Sequence, residues 1–397
     1  MRVGHDARWI LLGLLLVAAG ARVATTRRAV LPVRTTTIAA ALVALALVSS
    51  AWSVSPRLSV ERAVSLGVLF AAAVLLAAAE REPRRLLAGL VLGATAVALA
   101  GLLVLAVDHS AAVQAASIES PARYRGLGQD ANTAALLFGI AVGPALALAR
   151  RHPAWLVSVA LLAGSIVASG SRGGLFAGGV GALVVLGMLA RAPRRVLAGT
   201  AIVVAVVALG LVVQNVPKAQ AHSTSAPVAA PGPAPKRGYL NAEAVYPLAA
   251  DVGGPLPGGG QPAITRGFFG GSGRGAAWVG TIHQILQRPI LGFGFGTEGK
   301  VFVDRYYYFV GGTPENSYLG MSLQLGAVGL ALLLTLFVTV AWPLRRAVRT
   351  DVVAACAGAV AAGLVLAVVQ SYIYSVGNIG SATLWICAFL LPVLARA

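Results

Sequence analysis

Residues 86–107, LLAGLVLGATAVALAGLLVLAV, contain no charged side chain and follow three arginines, Arg81, Arg84 and Arg85. As a helix this run is about 33 Å long, because each residue adds about 1.5 Å. The hydrocarbon core of a bilayer is about 30 Å thick. The run therefore predicts a transmembrane helix.

The whole chain has this character. Of its 397 residues, 58% are hydrophobic and only 11% are charged, and the mean hydropathy is +0.82. A soluble domain carries about 25% charged residues. Long runs of Leu, Val and Ala without alternation favour helices over barrel strands. We predict an all-α polytopic membrane protein with about 11 (10–12) transmembrane helices, at 9–24, 36–53, 60–79, 86–107, 131–149, 154–169, 173–190, 196–213, 316–342, 352–374 and 381–395.

One large hydrophilic insertion, placed before the last three helices, divides the chain. It predicts an N-terminal helix block at 1–213, an external loop at 214–315 and a C-terminal helix block at 316–397. The first part of the loop is rich in Gly and Pro and is expected to be irregular. Near 274–288 the apolar residues return at helical spacing. That pattern fits either a helix at the outer membrane surface or a loop helix packed on its neighbours.

The net charge of +18 comes from basic residues whose distribution along the chain fits a membrane topology. A basic excess marks cytoplasmic loops, so nucleic acid is not an expected partner. The C-terminus is then inside and the large loop outside, in a multi-pass protein of the cell inner (plasma) membrane. The first apolar run lacks a cleavage site and is interpreted as an uncleaved helix. The basic residues concentrate in alternate loops, at 22–34, 81–85, 150–151, 191–195 and 345–349.

Cys356 and Cys387 lie inside predicted helices, where buried small apolar residues are the expected interpretation. No cluster of His, Cys and carboxylates has metal-ligand spacing. We therefore predict neither a metal site nor a cofactor.

The candidates for chemistry lie on the external side. Arg172 occurs in a tight turn between two helices in ASGSRGGLFAGG, and Arg274 follows flexible glycines in GGSGRGAAW. Glu315 and Asn316 precede a long apolar run in TPENSYLG. The segment ARYRGLGQDANTAALLF adds Arg123, Arg125, Gln129 and Asn132 at a helix start.

These residue types suit anion binding and proton transfer. The guanidinium fork of arginine matches phosphate and pyrophosphate oxygens, and a nearby carboxylate can act as a general base toward a hydroxyl. Each residue also has a simpler interpretation. The arginines could reach lipid headgroups, Asn316 could cap a helix, and Glu315 could be stabilised by the helix dipole.

Four motifs together resemble the O-antigen ligase and polymerase superfamily, whose members are multi-spanning envelope glycosyltransferases with one large external loop. The resemblance extends from about residue 45 to about residue 345. WSVSPR at 52–57 also resembles an early external turn of that family. The four motifs are RYRGLGQDANTAA, SGSRGGLFAGGVG, GRGAAWVGTIHQILQRPILGFGFG and PENSYLGMSLQLGAVGLAL, in this order.

The resemblance implies a transferase that moves a glycan from a polyprenyl (undecaprenyl) pyrophosphate-linked oligosaccharide to an acceptor sugar outside the membrane. We expect the transfer to be metal-independent, because the loop has no DxD motif and no His/Asp cluster, and to invert the anomeric carbon, because the displacement is in line. Arg172 and Arg274 match arginines that hold the pyrophosphate, and Glu315 matches the position of the base. Lipid A ligases typically have His there and polysaccharide polymerases often have an acidic residue. Glu315 therefore favours a polymerase over a lipid A ligase.

The remaining candidates are expected to contact substrate, and they are Arg123, Arg125, Gln129, Asn132, Asn316 and Tyr318. A transporter or flippase of a lipid-linked or anionic substrate is the alternative function. Transporters often contain internal repeats with interrupted helices at mid-membrane, and the sequence shows no convincing repeat.

Overall fold

The computed structural model describes residues 2–25, 30–115, 122–128, 130–190, 203–204, 207–210, 274–304, 309–310, 312–375 and 378–395. Over this part the chain is an all-α, multi-pass membrane protein. Its helices are α1 (Arg2–Thr25), α2 (Val33–Val48), α3 (Pro56–Ala79), α4 (Pro83–Val107), α5 (Ala131–Ala149), α6 (Trp155–Ser169), α7 (Arg172–Leu189), α8 (Arg274–Ile285), α9 (Ser317–Ala341), α10 (Asp351–Val369) and α11 (Ile379–Leu394).

Seven helical segments among the described residues are long and apolar enough to cross a membrane, and three shorter apolar helices accompany them, at 13–25, 155–169 and 380–394. Most of the helix predicted at 196–213, and most of the loop at 214–315 before α8, lies outside the described residues.

Short elements connect the helices. Helical turns occur at Ser49–Ala51, His109–Ala112, Glu298–Val301 and Trp342–Arg345, and two antiparallel pairs join β1 (Val113–Gln114) to β2 (Arg123–Tyr124) and β3 (Val303–Asp304) to β4 (Phe309–Val310).

Glycines allow α5, α7 and α10 to pack with their backbones in close contact. A Cβ atom on Gly181 of α7 would lie 2.9 Å from the carbonyl oxygen of Gly358 on α10, and one on Gly143 of α5 would lie 3.2 Å from the carbonyl oxygen of Gly181. Small residues at such crossings are typical of membrane helices, because close packing replaces the hydrophobic effect between helices in lipid. These three helices form the frame for the neighbouring helix ends.

Aromatic side chains join α3, α9 and α11. The ring of Trp385 on α11 stacks on Phe337 of α9 at 5.3 Å and meets Phe70 of α3 edge-on at 4.6 Å. Trp385 and Phe389 are fully buried there. Cys356 and Cys387 are also buried and carry free thiols.

Helix α9 is broken at Gly326, whose φ of 63° and ψ of −160° are not helical. The segment 288–297, which we call the glycine-rich loop, lies against this break. The N–H groups of Phe293 and Gly294 donate to the carbonyls of Leu323 (3.0 Å) and Gln324 (2.9 Å). An unsatisfied backbone group at membrane depth costs several kcal/mol. The loop therefore compensates for the hydrogen bonds that the break removes from the helix.

The glycine-rich loop also docks on the turn between α2 and α3. Trp52 donates its indole N–H to the carbonyl of Leu291 at 3.1 Å, and Ser59 donates its hydroxyl to the carbonyl of Phe295 at 2.6 Å. Gly294 has a φ of 102°, and a Cβ atom there would collide with Ser53. The loop is thereby fixed between the first helices and α9.

Helix α8 has two unlike faces. Thr281 and Gln284 are buried against the protein, whereas Val279, Ile282 and Leu286 are more than two-fifths exposed. An exposed apolar face opposite a packed polar one suits a helix at the membrane surface. The placement of this segment at the membrane surface stays a prediction.

The final helices end differently from the sequence pattern. The apolar run 352–374 predicted one helix, but α10 ends at Val369 and the residues after it leave the helical path. Ser371 and Tyr374 in this stretch donate hydrogen bonds to a carboxylate from a distant segment, Glu298. Tertiary hydrogen bonds thus override a local apolar pattern.

Candidate functional site

The turn Pro314–Asn316, which we call the PEN turn, leads directly into α9. Asn316 caps the helix, since its side-chain oxygen accepts from the N–H groups of Tyr318 (3.0 Å) and Leu319 (3.1 Å). Glu315 has a φ of 49° and is the one non-glycine residue with positive φ among those described. Such a conformation costs roughly 1–3 kcal/mol and persists where the surroundings impose it. The backbone of the PEN turn therefore holds the Glu315 carboxylate in a strained position.

Helix α8 holds the PEN turn with two side chains one helical turn apart. Arg274 donates its Nε–H to Oε2 of Glu315 at 2.6 Å, and its Nη2 contacts the same oxygen. Trp278 donates its indole N–H to the carbonyl of Pro314 at 2.9 Å. The side chains of Arg274 and Glu315 are 25% and 42% exposed. The structure thus brings together two of the predicted catalytic residues at a position that solvent reaches.

A second carboxylate lies behind the PEN turn. Glu298 is 6% exposed and accepts from the hydroxyls of Ser371 (2.7 Å) and Tyr374 (2.8 Å). The amide of Gln324 lies 3.4 Å from its Oε2. Ser371 in turn accepts from the N–H of Asn316 at 3.1 Å. One hydroxyl group therefore separates Glu298 from the backbone of the PEN turn.

Burial raises the pKa of Glu298 to about 7, although the hydrogen bonds from Ser371 and Tyr374 act in the opposite direction. The residue lies outside the membrane-spanning helices, in the four-residue turn Glu298–Val301. Glu298 is not recognisable as a site residue from its sequence context, because GTEGK has the composition of an exposed loop. The available signal was only its position just after the glycine-rich loop.

The raised pKa of Glu298 predicts that the folded protein loses stability as the pH rises. Between about 4.5 and about 7 the folded protein holds this proton more tightly than the unfolded chain does, so the free energy of unfolding falls through that window. The shift corresponds to about 3 kcal/mol. Thermal unfolding of the wild-type protein and of Glu298→Gln from about pH 5 to about pH 8 tests this prediction. The difference between the two melting temperatures removes the contribution of the other carboxylates, because both proteins contain them. We expect the wild type to lose melting temperature relative to the variant as the pH rises. A pH-independent difference contradicts the assignment.

Arg172 is the first residue of α7 and follows the cap Ser171 and the left-handed Gly170, which has a φ of 64°. The next residue, Gly173, lies against Val369, the last residue of α10; a Cβ atom there would be 2.7 Å from the Val369 side chain. Ser371 then contacts the PEN turn. The N-termini of α7 and α9 and the C-terminus of α10 therefore meet at one end of the helix bundle.

The other arginines take separate positions. Arg123 is 6% exposed, lies with its stem against Gly170 and donates to the side chain of Asn132 at 3.2 Å. It is therefore placed beside the turn that carries Arg172. Arg125 donates instead to the carbonyl of Ala111 at 3.2 Å.

Gln129 and Tyr318 are the two remaining residues predicted to contact substrate. Gln129 lies outside the described residues. Tyr318 donates its hydroxyl to the carbonyl of Leu364 at 3.1 Å, which joins α9 to α10. Trp278, which holds Pro314, was not predicted as a site residue, although its spacing of four from Arg274 places both on one helix face.

Over the part of the chain that the structure describes, no group of three or more His, Cys, Asp or Glu could hold a metal ion. No curated protein matches the chain. Residues 157–334 match the family model described as O-antigen ligase. The matched region contains most of α6, all of α7 and α8, the glycine-rich loop, the PEN turn and the first part of α9. Over these residues the chain is therefore similar to the O-antigen ligase family.

Proposed function

We propose that the protein is a membrane glycosyltransferase that moves a glycan from a polyprenyl pyrophosphate-linked donor to an acceptor sugar on the extracytoplasmic face. The observation that carries the proposal is the direct contact of Arg274 with Glu315 on the strained PEN turn. The contact lies inside the region that matches the O-antigen ligase family. Arg274 can bind an anion and Glu315 can act as a base. Two such groups in contact suit a displacement at a carbon that is linked to a pyrophosphate.

The proposed reaction is an in-line displacement. The acceptor hydroxyl attacks the anomeric carbon of the donor sugar and gives its proton to the Glu315 carboxylate. A new glycosidic C–O bond forms while the bond from the anomeric carbon to the pyrophosphate oxygen breaks. The electron pair of that bond leaves with the polyprenyl pyrophosphate, and the anomeric centre inverts. Arg172 and Arg274 stabilise the charge that develops on the leaving group, which makes the scheme metal-independent.

The ion pair between Arg274 and Glu315 gives this scheme an order of events. In the structure Oε2 of Glu315 is paired with Arg274. A pyrophosphate offers several oxygens to a guanidinium, so its arrival draws Arg274 away from the carboxylate. Oε2 of Glu315 is then available to the acceptor hydroxyl. Donor binding would thus precede activation of the acceptor.

Within this activity we favour a polysaccharide polymerase over a lipid A ligase, with the donor held in the plasma membrane and the site on its outer face. The support is the acidic residue before Asn316, where the resemblance implies His for lipid A ligases. The exposed apolar face of α8 would lie in the outer leaflet surface. In this arrangement Arg274 and Glu315 face the headgroup region, where the pyrophosphate of a lipid-linked donor lies.

Arg274→Ala is expected to raise the KM for the donor and to lower kcat/KM by about 10- to 100-fold, because a hydrogen bond to a charged group is worth about 1.5–3 kcal/mol. Release of polyprenyl pyrophosphate from lipid-linked glycans extracted from the source organism measures the effect. Arg57→Ala is the matched control, since Arg57 is exposed and pairs with Glu61 on its own helix. Equal donor KM values in Arg274→Ala and in the control contradict the assigned role.

One observation favours the alternative, a transporter or flippase. Helix α9 is interrupted at Gly326, and transporters bind substrates at interrupted helices. In this chain, however, the groups at the break are bonded to the glycine-rich loop: the carbonyl of Gln324 accepts from Gly294 and the N–H of Ala327 donates to Pro289 at 2.8 Å. The backbone groups at the break are therefore used in internal hydrogen bonds and not in binding a substrate.

A further inference from the structure

A continuous path of hydrogen bonds joins Glu298 to the peptide unit between Glu315 and Asn316. The N–H of Asn316 belongs to that peptide unit and donates to Oγ of Ser371 at 3.1 Å. The hydroxyl of Ser371 donates to Oε1 of Glu298 at 2.7 Å. Because the orientation of this peptide plane sets ψ of Glu315, the path acts on the residue with positive φ.

Gly320 leaves a notch in the surface of α9, and the Glu298 carboxylate lies in it. A Cβ atom on Gly320 would collide with the hydroxyl of Tyr374 and lie 2.5 Å from Oε1 of Glu298. Gln324 lies one turn further along and connects the notch to the glycine-rich loop, since its Oε1 accepts from the N–H of Gly296 at 2.6 Å. Three segments therefore converge on one buried side chain.

We propose that Glu298 is a positioning residue, which acts through Ser371 to hold the Glu315–Asn316 peptide in the strained conformation that directs the Glu315 carboxylate. The inference rests on the proposed function, because it assigns Glu298 to the same transfer site. It adds a residue that neither its sequence context nor the family match identifies.

The ionised form of Glu298 is the form that can hold the Glu315–Asn316 peptide through Ser371. A carboxylate can only accept, so it directs the hydroxyl proton of Ser371 toward itself and leaves the hydroxyl oxygen to the N–H of Asn316, whereas a protonated carboxyl group can donate to that oxygen and reverse the bond. The groups that face Glu298 from the packed elements are the hydroxyls of Ser371 and Tyr374 and the amide of Gln324. Lys300 on the same short turn donates to the hydroxyl of Ser55 at 2.9 Å. Burial raises the pKa of Glu298 to about 7, so this link weakens at mildly acidic pH.

Ser371→Ala and Tyr374→Phe form a matched pair that tests the proposal. Each removes one hydroxyl that donates to Glu298, but only Ser371→Ala breaks the connection to the PEN turn. We expect Ser371→Ala to lower kcat by about tenfold or more with donor KM changed by less than about twofold, because misplacement of a catalytic group costs turnover. Tyr374→Phe should lower kcat less than about threefold. Equal losses in both variants indicate a merely structural carboxylate and overturn the proposal.

Two further readouts separate failure of this inference from failure of the proposed function. Hydrogen exchange of the peptide that contains Asn316 should be faster in Ser371→Ala and unchanged in Tyr374→Phe, whether or not transfer is observed. Equal exchange in the two variants overturns the positioning role. Glu298→Gln is the second variant, and its turnover should be low and lack the acid limb near pH 7 that we expect of the wild type. An unchanged acid limb also contradicts the proposal, whereas a wild type without turnover contradicts only the proposed function.

Discussion

Glu315→Gln is expected to lower turnover by about 10²- to 10⁴-fold, which is the usual contribution of a general base. The amide keeps the size of the side chain but cannot accept the proton of the acceptor hydroxyl. The KM for the donor should change little, because the arginines bind the pyrophosphate. The measurement is single-turnover release of polyprenyl pyrophosphate by purified protein in vesicles. Turnover within a few-fold of the wild type contradicts the role of Glu315 as the base.

Glu315→Gly separates catalysis from stability at the same position. Glycine adopts a φ of 49° without the strain that a side chain brings, so the melting temperature should be equal to that of the wild type or higher. The ion pair with Arg274 is partly exposed and contributes little to stability. Turnover should nevertheless be lost. Loss of activity without loss of stability is the result expected of a strained catalytic residue. A clearly lower melting temperature instead indicates that Glu315 stabilises α9 through the helix dipole.

Gly326→Ala is expected to prevent accumulation of folded protein. The φ of 63° and ψ of −160° at this position lie in a region that is essentially restricted to glycine. A Cβ atom would also collide with the backbone of Ile290 in the glycine-rich loop. Strain and collision together should cost several kcal/mol, out of a total stability of about 5–15 kcal/mol. Yield and elution profile after detergent extraction measure the loss.

Gly164→Ala is the control for Gly326→Ala. Gly164 lies in α6, where a Cβ atom meets nothing within 4 Å. Alanine is favoured over glycine in a helix by about 1 kcal/mol, so this variant should be recovered at wild-type yield or better. If Gly326→Ala is recovered equally well, the break in α9 is not the fixed feature described above.

Most helix positions could be predicted because hydropathy and span length are local properties. The run 131–149 coincides with α5, and 86–107 lies within α4. The end of α10 and the break at Gly326 could not be predicted in this way. Both depend on hydrogen bonds from the segment between α8 and α9, which is distant in sequence from α10.

The candidate site was only partly accessible from sequence. Arg274 and Glu315 stood out because charged residues are rare beside apolar runs, and the structure places them in contact. Glu298 did not stand out, since its neighbours are polar and only the fold buries it among Ser371, Tyr374 and Gln324. The strained backbone of Glu315 could not be predicted from the sequence either, because its positive φ arises only in the folded PEN turn.

The most direct measurement is mass spectrometry of the carrier lipid after incubation of the wild-type protein and Glu315→Gln with lipid-linked glycans from the source organism in sealed vesicles. We expect the wild type to convert the donor to free polyprenyl pyrophosphate while glycan chains grow or transfer to an acceptor, and we expect the variant to do neither. Movement of intact donor across the bilayer, with no glycosidic bond made or broken by either protein, would contradict this expectation.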